Sequence, residues 1–350
     1  LYALAELEAA TRVRVIGAMT EVLAASREPA AVLSRLAAPT TRWLGLTVTE
    51  KGYGLDAAGD LDPGVPDIAA DLAARGQGTP RSAVGWVVAG LAARRAAGLE
   101  PFIVASCDNL PANGRKLRHA ALQMAAEWDA DLAGWIEGEA RFPSSMVDSI
   151  TPAADDALLA LVESRLGLAD AAPVQREGFV QWVLEDDLGP GAPDLGAVGV
   201  TLTSDVEGFE AAKLRLLNGA HSSLAYLGLA RGFETVAEAA ADPALGAFLR
   251  DLMIMDIAPA VRAPKGMDVG AYIQAILKRF ANPAIRHRLI QIAMDGSQKL
   301  PIRLLATVQA ALDDGRPVTR LGLAVAGWMA FVARETAAGR TLQDPLADRL

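Results

Sequence analysis

The chain has 350 residues, of which 52% are hydrophobic and 21% charged, and its formal net charge is −9. That length suffices for two domains with sizeable cores, and the composition excludes a disordered chain. The acidic balance, with no basic patch standing out, argues against a nucleic-acid binder, although a local basic pocket can still take an anionic substrate.

A single cysteine, Cys107, rules out an internal disulfide and fits a reducing, cytoplasmic compartment. The histidines His119, His221 and His287 lie far apart and show no zinc-ligand spacing, so no metal is expected. No uncharged apolar run reaches the ~18 residues of a membrane span, and the acidic opening residues do not read as a signal peptide.

In chain order, 1–40 reads as short strands and helices. Residues 42–49, rich in apolar and β-branched side chains, read as a strand that ends in a turn at 50–54. The run from Gly52 to Ala57 has the form G-x-G-x-x-A, but a loop follows it where a dinucleotide fingerprint must open a helix. Residues 80–99 read as a helix with Val84, Val87, Val88 and Leu91 on one side. The wholly apolar run 102–105 is a buried parallel strand, and Asp108 and Asn109 follow its carboxyl end, where open α/β sheets bind ligands. Asn109 is thus a site candidate, or else a turn residue; Asn113 and Gly114 read as structural. Helices are expected at 114–136 and 153–166, a loop at 167–178 and a strand at 179–185. The second half reads as helical, with helices at 206–230, 233–256, 268–281 and beyond 282.

The helix at 206–230 carries Phe209, Leu214, Leu216, Leu217, Leu224 and Leu227 at helical spacing. Glu210, Lys213, Asn218 and His221 interrupt it. With Lys213 at 0° on an α-helix, Glu210 falls near ~60°, His221 near ~80° and Asn218 near ~140°, on one broad face. Polar groups inside an apolar helix are costly unless they pair or serve a site. Chemistry alone leaves two readings open: a solvated face with an i,i+3 pair, or a catalytic face.

The spacing Lys213-x4-Asn218-x2-His221, and the wording from Lys213 to Ser222 around it, resemble the catalytic motif of the mannitol dehydrogenase family of polyol-specific long-chain dehydrogenases. Residues 46–53, 106–114, 142–152 and 280–301 resemble further segments of that family. The resemblance implies an α/β Rossmann-like cofactor domain over 1–190, without its first β-α-β unit and Gly-rich phosphate turn. It also implies a mostly α-helical substrate domain over 191–350, without its final helices. The implied cofactor is NAD or NADP, the implied substrate an open-chain polyol or sugar acid, and the chain a monomer or weak homo-oligomer. Thr49, Glu50 and Asn109 would border the cofactor; Asp148, Lys299 and Arg286 would contact substrate. Two positions depart from the family pattern. Ser149 stands where an Arg is usual, and Gln291 stands where mannitol-oxidising members tend to carry Arg, which leans the substrate toward a hexonate such as mannonate.

Oxidising a secondary alcohol requires a base and a hydride acceptor, and no side chain accepts hydride, so a nicotinamide is implied. Tyr53, Tyr226 and Tyr272 have no Lys at the Tyr-x3-Lys spacing. Lys213 remains, and it matches the family's base. Burial favours its neutral form and Glu210 opposes that. On this resemblance Asn109 and Asn218 donate to the forming alkoxide, His221 orients the hydroxyl, and Glu210 relays the proton. Lys299, with Arg286, Arg288 and Arg303, forms the densest basic cluster; helix C-caps are the plainer reading of Lys299 and Arg303. The competing expectation is an inactive remnant or partner-binding scaffold that lacks the phosphate turn.

Overall fold

Short apolar runs become strands and long periodic runs become helices in the computed structural model, which describes residues 1–8 and 10–350. The strands are β1 Tyr2–Leu7, β2 Arg12–Ile16, β3 Trp43–Leu46, β4 Ile103–Ser106, β5 Ser145–Asp148, β6 Val174–Glu177, β7 Gln181–Glu185 and β8 Thr201–Thr203. The chain forms two compact units, each discontinuous in sequence. One comprises 19–148 and 180–207; the other comprises 1–18, 149–179 and 208–350.

In the first unit, β3 and β4 pair in parallel, Trp43 opposite Ile103 and Leu46 opposite Ser106. The connection between them holds the helices Pro66–Ala74 and Ala83–Ala96, so this is a β-α-β crossover. Ala83–Ala96 begins where the Ser82 side chain accepts from Gly85 N–H, and it buries Val84, Val87, Val88 and Leu91. β7 pairs antiparallel with β5 and parallel with β8. The helix expected over 114–136 is two helices, Asn113–Trp128 and Ala130–Glu139. Asp129 is extended at φ −161° and its carboxylate caps the second through Asp131 and Leu132 N–H.

In the other unit, β1 pairs antiparallel with β2 and parallel with β6. β6 lies in the stretch expected as a loop; its four residues hold no strong local signal, and its partner at Leu4 is 170 positions away from Val174 in numbering. The helix expected over 233–256 is also broken. Asp242 ends Val236–Ala241 and caps Pro243–Asp251, which continues into a π-helical turn at Leu252–Ile257. Leu216, Leu224 and Tyr226 pack with Leu249, Ile276, Phe280, Leu304 and Phe331 in this unit's core. Among the described residues no helix is long and apolar enough to cross a membrane.

The element at 206–230 is unbroken, but it is not one α-helix. Val206–Ala212 and Ala220–Ala230 are α-helical, and Lys213–Gly219 between them is π-helical. Widened turns of this kind recur at functional sites.

Candidate active site

The π turn changes which side chains meet. On an α-helix, residues five apart point ~140° away from each other. In a π turn the hydrogen bonds run i→i+5, so residues five apart come to the same side of the helix. Lys213 and Asn218 are five apart and both lie inside the turn. Glu210 is three residues before Lys213, and His221 is three after Asn218. The broad arc drawn for a regular helix is therefore a narrower row, Glu210–Lys213–Asn218–His221. Lys213 is buried, and Glu210, Asn218 and His221 are half-buried.

A further π turn, Pro301–Leu305, packs on Lys213–Gly219. It begins at a proline, which cannot complete an α-helical hydrogen bond. Gly219 permits the approach: a Cβ there would lie 2.8 Å from the Arg303 carbonyl oxygen. Arg303 Nη1 in turn donates to Ser222 Oγ at 3.1 Å, which brings a guanidinium beside the Lys213 helix.

His221 is held from two sides. Its ring stacks on Phe280 with centroids 5.0 Å apart and meets His287 edge-on, also at 5.0 Å. Its Nε2 is sealed from solvent without a partner, and so is Nδ1 of His287. Burial first, then the neighbouring His287, Arg303, Arg279 and Lys299, hold His221 well below the usual histidine value. Burial and Lys299 lower His287 in the same way. Sequence reading set these histidines apart because 66 positions separate them; only the fold joins them. The available signal was that His287 sits inside the 280–301 segment already singled out.

Lys299 Nζ donates to the carbonyls of Met294 at 2.6 Å and Ile292 at 3.4 Å, the exit of the Leu289–Ala293 helix. Lys299 thus caps the C-terminus of that helix. Burial and Arg303 lower its pKa. Its helix starts at Asp295, in the left-handed region at φ 56°, and at Gly296, where a Cβ would lie 2.3 Å from Trp328 Nε1. Arg286, Arg288 and Gln291 are exposed.

The remaining candidates belong to the other unit. Asn109 follows β4; Thr49 and Glu50 follow β3; all three are exposed beyond the carboxyl ends of a parallel pair. Asp108 organises this edge. Its carboxylate accepts from Val48 N–H at 3.0 Å, Thr49 N–H at 2.9 Å and the Tyr53 hydroxyl at 2.8 Å. That grip holds Thr49 at φ 63°, a conformation costing a β-branched residue on the order of 1–3 kcal/mol and typical of functional edges. Asn113 is fully buried and ties the Asp108 and Ser145 carbonyls together at 3.0 and 2.8 Å. Gly114 lies so close to the 142–144 backbone that a Cβ would meet Phe142 O at 2.4 Å. Both therefore have the structural parts expected. Asp148 ends β5 and is buried. The Gly52–Ala57 run lies in a 3-10 turn and loop, where a Gly52 Cβ would strike Val48 at 2.7 Å; its glycines serve packing. Among the described residues no group of three or more His, Cys, Asp or Glu is placed to hold a metal ion.

Residues 1–196 match the mannitol dehydrogenase Rossmann domain, and residues 205–350 match the mannitol dehydrogenase C-terminal domain. The chain belongs to the mannitol dehydrogenase family. Among its family relatives, D-mannonate oxidoreductase of Escherichia coli K12 is 44% identical over 95% of this chain and 68% of its own length. A solved D-sorbitol dehydrogenase, in substrate-free form, superposes with a TM-score of 0.89 at 36% identity, covering 95% of this chain and 69% of that one. Pseudomonas fluorescens mannitol 2-dehydrogenase, solved as a ternary complex with NAD and D-mannitol, gives 0.83 at 39% identity over 99% and 71%. Membership in the mannitol dehydrogenase family accounts for both architectures seen here, the Rossmann-like β-α-β part and the helical part.

The histidine pair makes stability depend on pH in one direction. The fold keeps both imidazoles neutral, whereas the unfolded chain protonates them near pH ~6.5. Below that value the unfolded state binds more protons, so stability is fully present above it and falls as pH falls. Urea unfolding at pH 7.5, 6.5 and 5.5 is expected to show a loss approaching ~1.4 kcal/mol per pH unit for the His221 proton, with a smaller addition from the less buried His287. A flat profile over that window would contradict the buried, neutral pair.

Proposed function

We propose that this polyol dehydrogenase is NAD-dependent and interconverts a secondary alcohol of an open-chain hexonate or hexitol with the matching keto compound, mannonate being the first candidate. The observation that carries this reading is the π turn that holds both Lys213 and Asn218, with His221 one turn on. Supporting it, a 44% identical relative is named for mannonate and a 39% identical one was solved with NAD and mannitol.

The strained Thr49 edge, with exposed backbone beyond two parallel strands, fits a cofactor that approaches main chain closely. Thr49, Glu50 and Asn109 would hold it. When bound, a nicotinamide supplies the acceptor for the carbinol hydrogen with its electron pair. The chain's residues handle the proton. Lys213 Nζ, in its neutral form, takes the hydroxyl proton, and in the reverse direction it returns it. Asn218 donates to the oxygen as its charge grows, stabilising the alkoxide more than the alcohol. His221 donates to the same oxygen and sets the angle at which the hydroxyl meets Lys213. Glu210, one turn earlier, passes the proton toward water. A lysine base needs no metal ion, so the reaction is assigned none. Asp148, Lys299 and Arg286 serve the rest of the substrate, the cations meeting a carboxylate. The division into a cofactor part over 1–190 and a substrate part over 191–350 belongs to the same proposal.

The test is NADH fluorescence and turnover, run on the 350-residue chain and on the product of its whole reading frame, with NADP(H), mannonate and mannitol as parallel arms. Binding of NADH with turnover of mannonate above mannitol is the expected result. Binding without turnover of either sugar removes the substrate class, and no nicotinamide binding by either protein removes the whole reading.

A further inference from the structure

Arg303 is half-buried on the π turn Pro301–Leu305. It caps no helix carbonyl; its Nη1 donates to the Ser222 hydroxyl at 3.1 Å. Among the described residues no carboxylate pairs with it. A guanidinium carries five N–H donors in a planar fork and stays charged in a protein. A charge withdrawn from water is costly unless it is paired. Burial acts against the charge of Arg303, and the group that favours that charge is the Tyr226 hydroxyl, not an acid. The cations around it are settled differently. Arg279 is paired with Glu177, and Lys299 has Asp295 at 3.8 Å besides the carbonyls it caps. Arg286 and Arg288 are exposed to water. His221 and His287 are held neutral. Arg303 is thus the half-buried cation of this cluster that has no anion, and its field reaches both His221 and Lys299. Its anchor, Ser222, follows His221 directly and lies about 6 Å along the helix from Asn218.

We propose that Arg303 is the specificity-determining residue for the acid end of the substrate: its guanidinium receives the carboxylate of an open-chain sugar acid whose carbinol lies at Lys213 and Asn218. The Ser222 bond fixes one arm of the fork. The remaining N–H donors match a carboxylate, which takes two of them in parallel. The ligand then supplies the negative charge that the chain withholds from Arg303. A hexitol ends in a neutral hydroxymethyl group and leaves that guanidinium uncompensated, so charge separates acids from polyols at this position. The placing of the carbinol rests on the dehydrogenase reading; the anion site rests on Arg303 and its surroundings.

The test compares mannonate, its neutral amide and mannitol, by calorimetric binding and by turnover, on the product of the whole reading frame. The unaltered protein is expected to bind mannonate well above the other two. Arg303→Met keeps a long apolar stem without the charge. It is expected to lower both mannonate affinity and kcat/KM about 100-fold, chiefly through KM, and to change the values for mannitol by less than about threefold. Arg303→Lys, a charge without the fork, is expected to lose about tenfold for mannonate. Ser222→Ala frees the anchored arm and is expected to keep the preference for mannonate over its amide. The urea midpoint of each variant is measured first, and Arg303→Lys carries the comparison where Arg303→Met does not fold. Equal losses for mannonate and mannitol would mean a structural part for Arg303 and overturn the proposal, as would an unaltered protein that does not prefer mannonate to its amide. A preference for mannonate that vanishes in Arg303→Met, in a protein that oxidises neither compound, would leave the anion site standing and remove the dehydrogenase reading. Turnover of mannonate that Arg303→Met leaves intact would do the reverse.

Discussion

Replacing Lys213 with Ala is expected to lower kcat for mannonate oxidation by about 10³-fold, within the range of roughly 10²–10⁴ that a positioned base contributes. Lys213→Arg is expected to be as inactive, because a guanidinium does not deprotonate in a protein and cannot accept the hydroxyl proton. The pair separates chemistry from packing, since Arg keeps both length and charge. Lys213 is buried inside a π turn, so each variant is first checked for its helical circular dichroism and NADH affinity. A small primary amine added to Lys213→Ala is then expected to restore part of the rate, with the rescue rising as pH converts more amine to its free base. Near-normal turnover in Lys213→Ala would sink the mechanism. Normal turnover in Lys213→Arg alone would show that Lys213 supplies charge rather than basicity.

Glu177→Ala is expected to destabilise the unit that contains it by about 3–5 kcal/mol, the cost of stranding one member of a buried ion pair. Glu177 and Arg279 have side chains only 3% and 5% exposed. The guanidinium reaches the carboxylate through Nη2 at 2.7 Å and Nε at 3.0 Å, and it lies 4.2 Å from the centre of the Phe179 ring. Glu177 also accepts from Ile150 N–H at 2.7 Å, so its loss orphans a backbone donor as well. β6 is thereby clamped to the helix Val269–Phe280, whose last residue, Phe280, stacks on His221. The midpoint of urea unfolding is the measurement. Glu177→Ala combined with Arg279→Met is expected to recover most of the loss, because no charge then remains buried. A single-variant loss below ~1 kcal/mol would mean that water reaches the pair and screens it.

The family was legible in the sequence because its signal is local. Lys213, Asn218 and His221 fall within nine residues of one helix, and Asn109 follows directly from the apolar run that becomes β4. Short-range rules of periodicity, capping and turn chemistry reach that far. They also gave Val269–Phe280 to within one residue at each end and Ala83–Ala96 to within three; Ser82 and Asp268 cap the two starts. The same rules missed the breaks at Asp129 and Asp242, where a carboxylate inside an otherwise periodic run caps a new helix.

By itself, then, the sequence determined the family, the mixed α/β and helical composition, and the row of polar residues on the 206–230 element. Tertiary structure alone decided three further things. It set the π winding of Lys213–Gly219, which brings Lys213 and Asn218 to one side of the helix, and the approach of Gly219 to the Arg303 backbone. It joined β6 to β1 across most of the Rossmann-like half of the chain, and it brought His287 against His221. The physical reason is common to all three. A helix widens by a residue, a short strand finds a partner, and two imidazoles lose their water only when distant segments pack against them. The free energy of that packing is a property of the assembled core, absent from any window of adjacent residues.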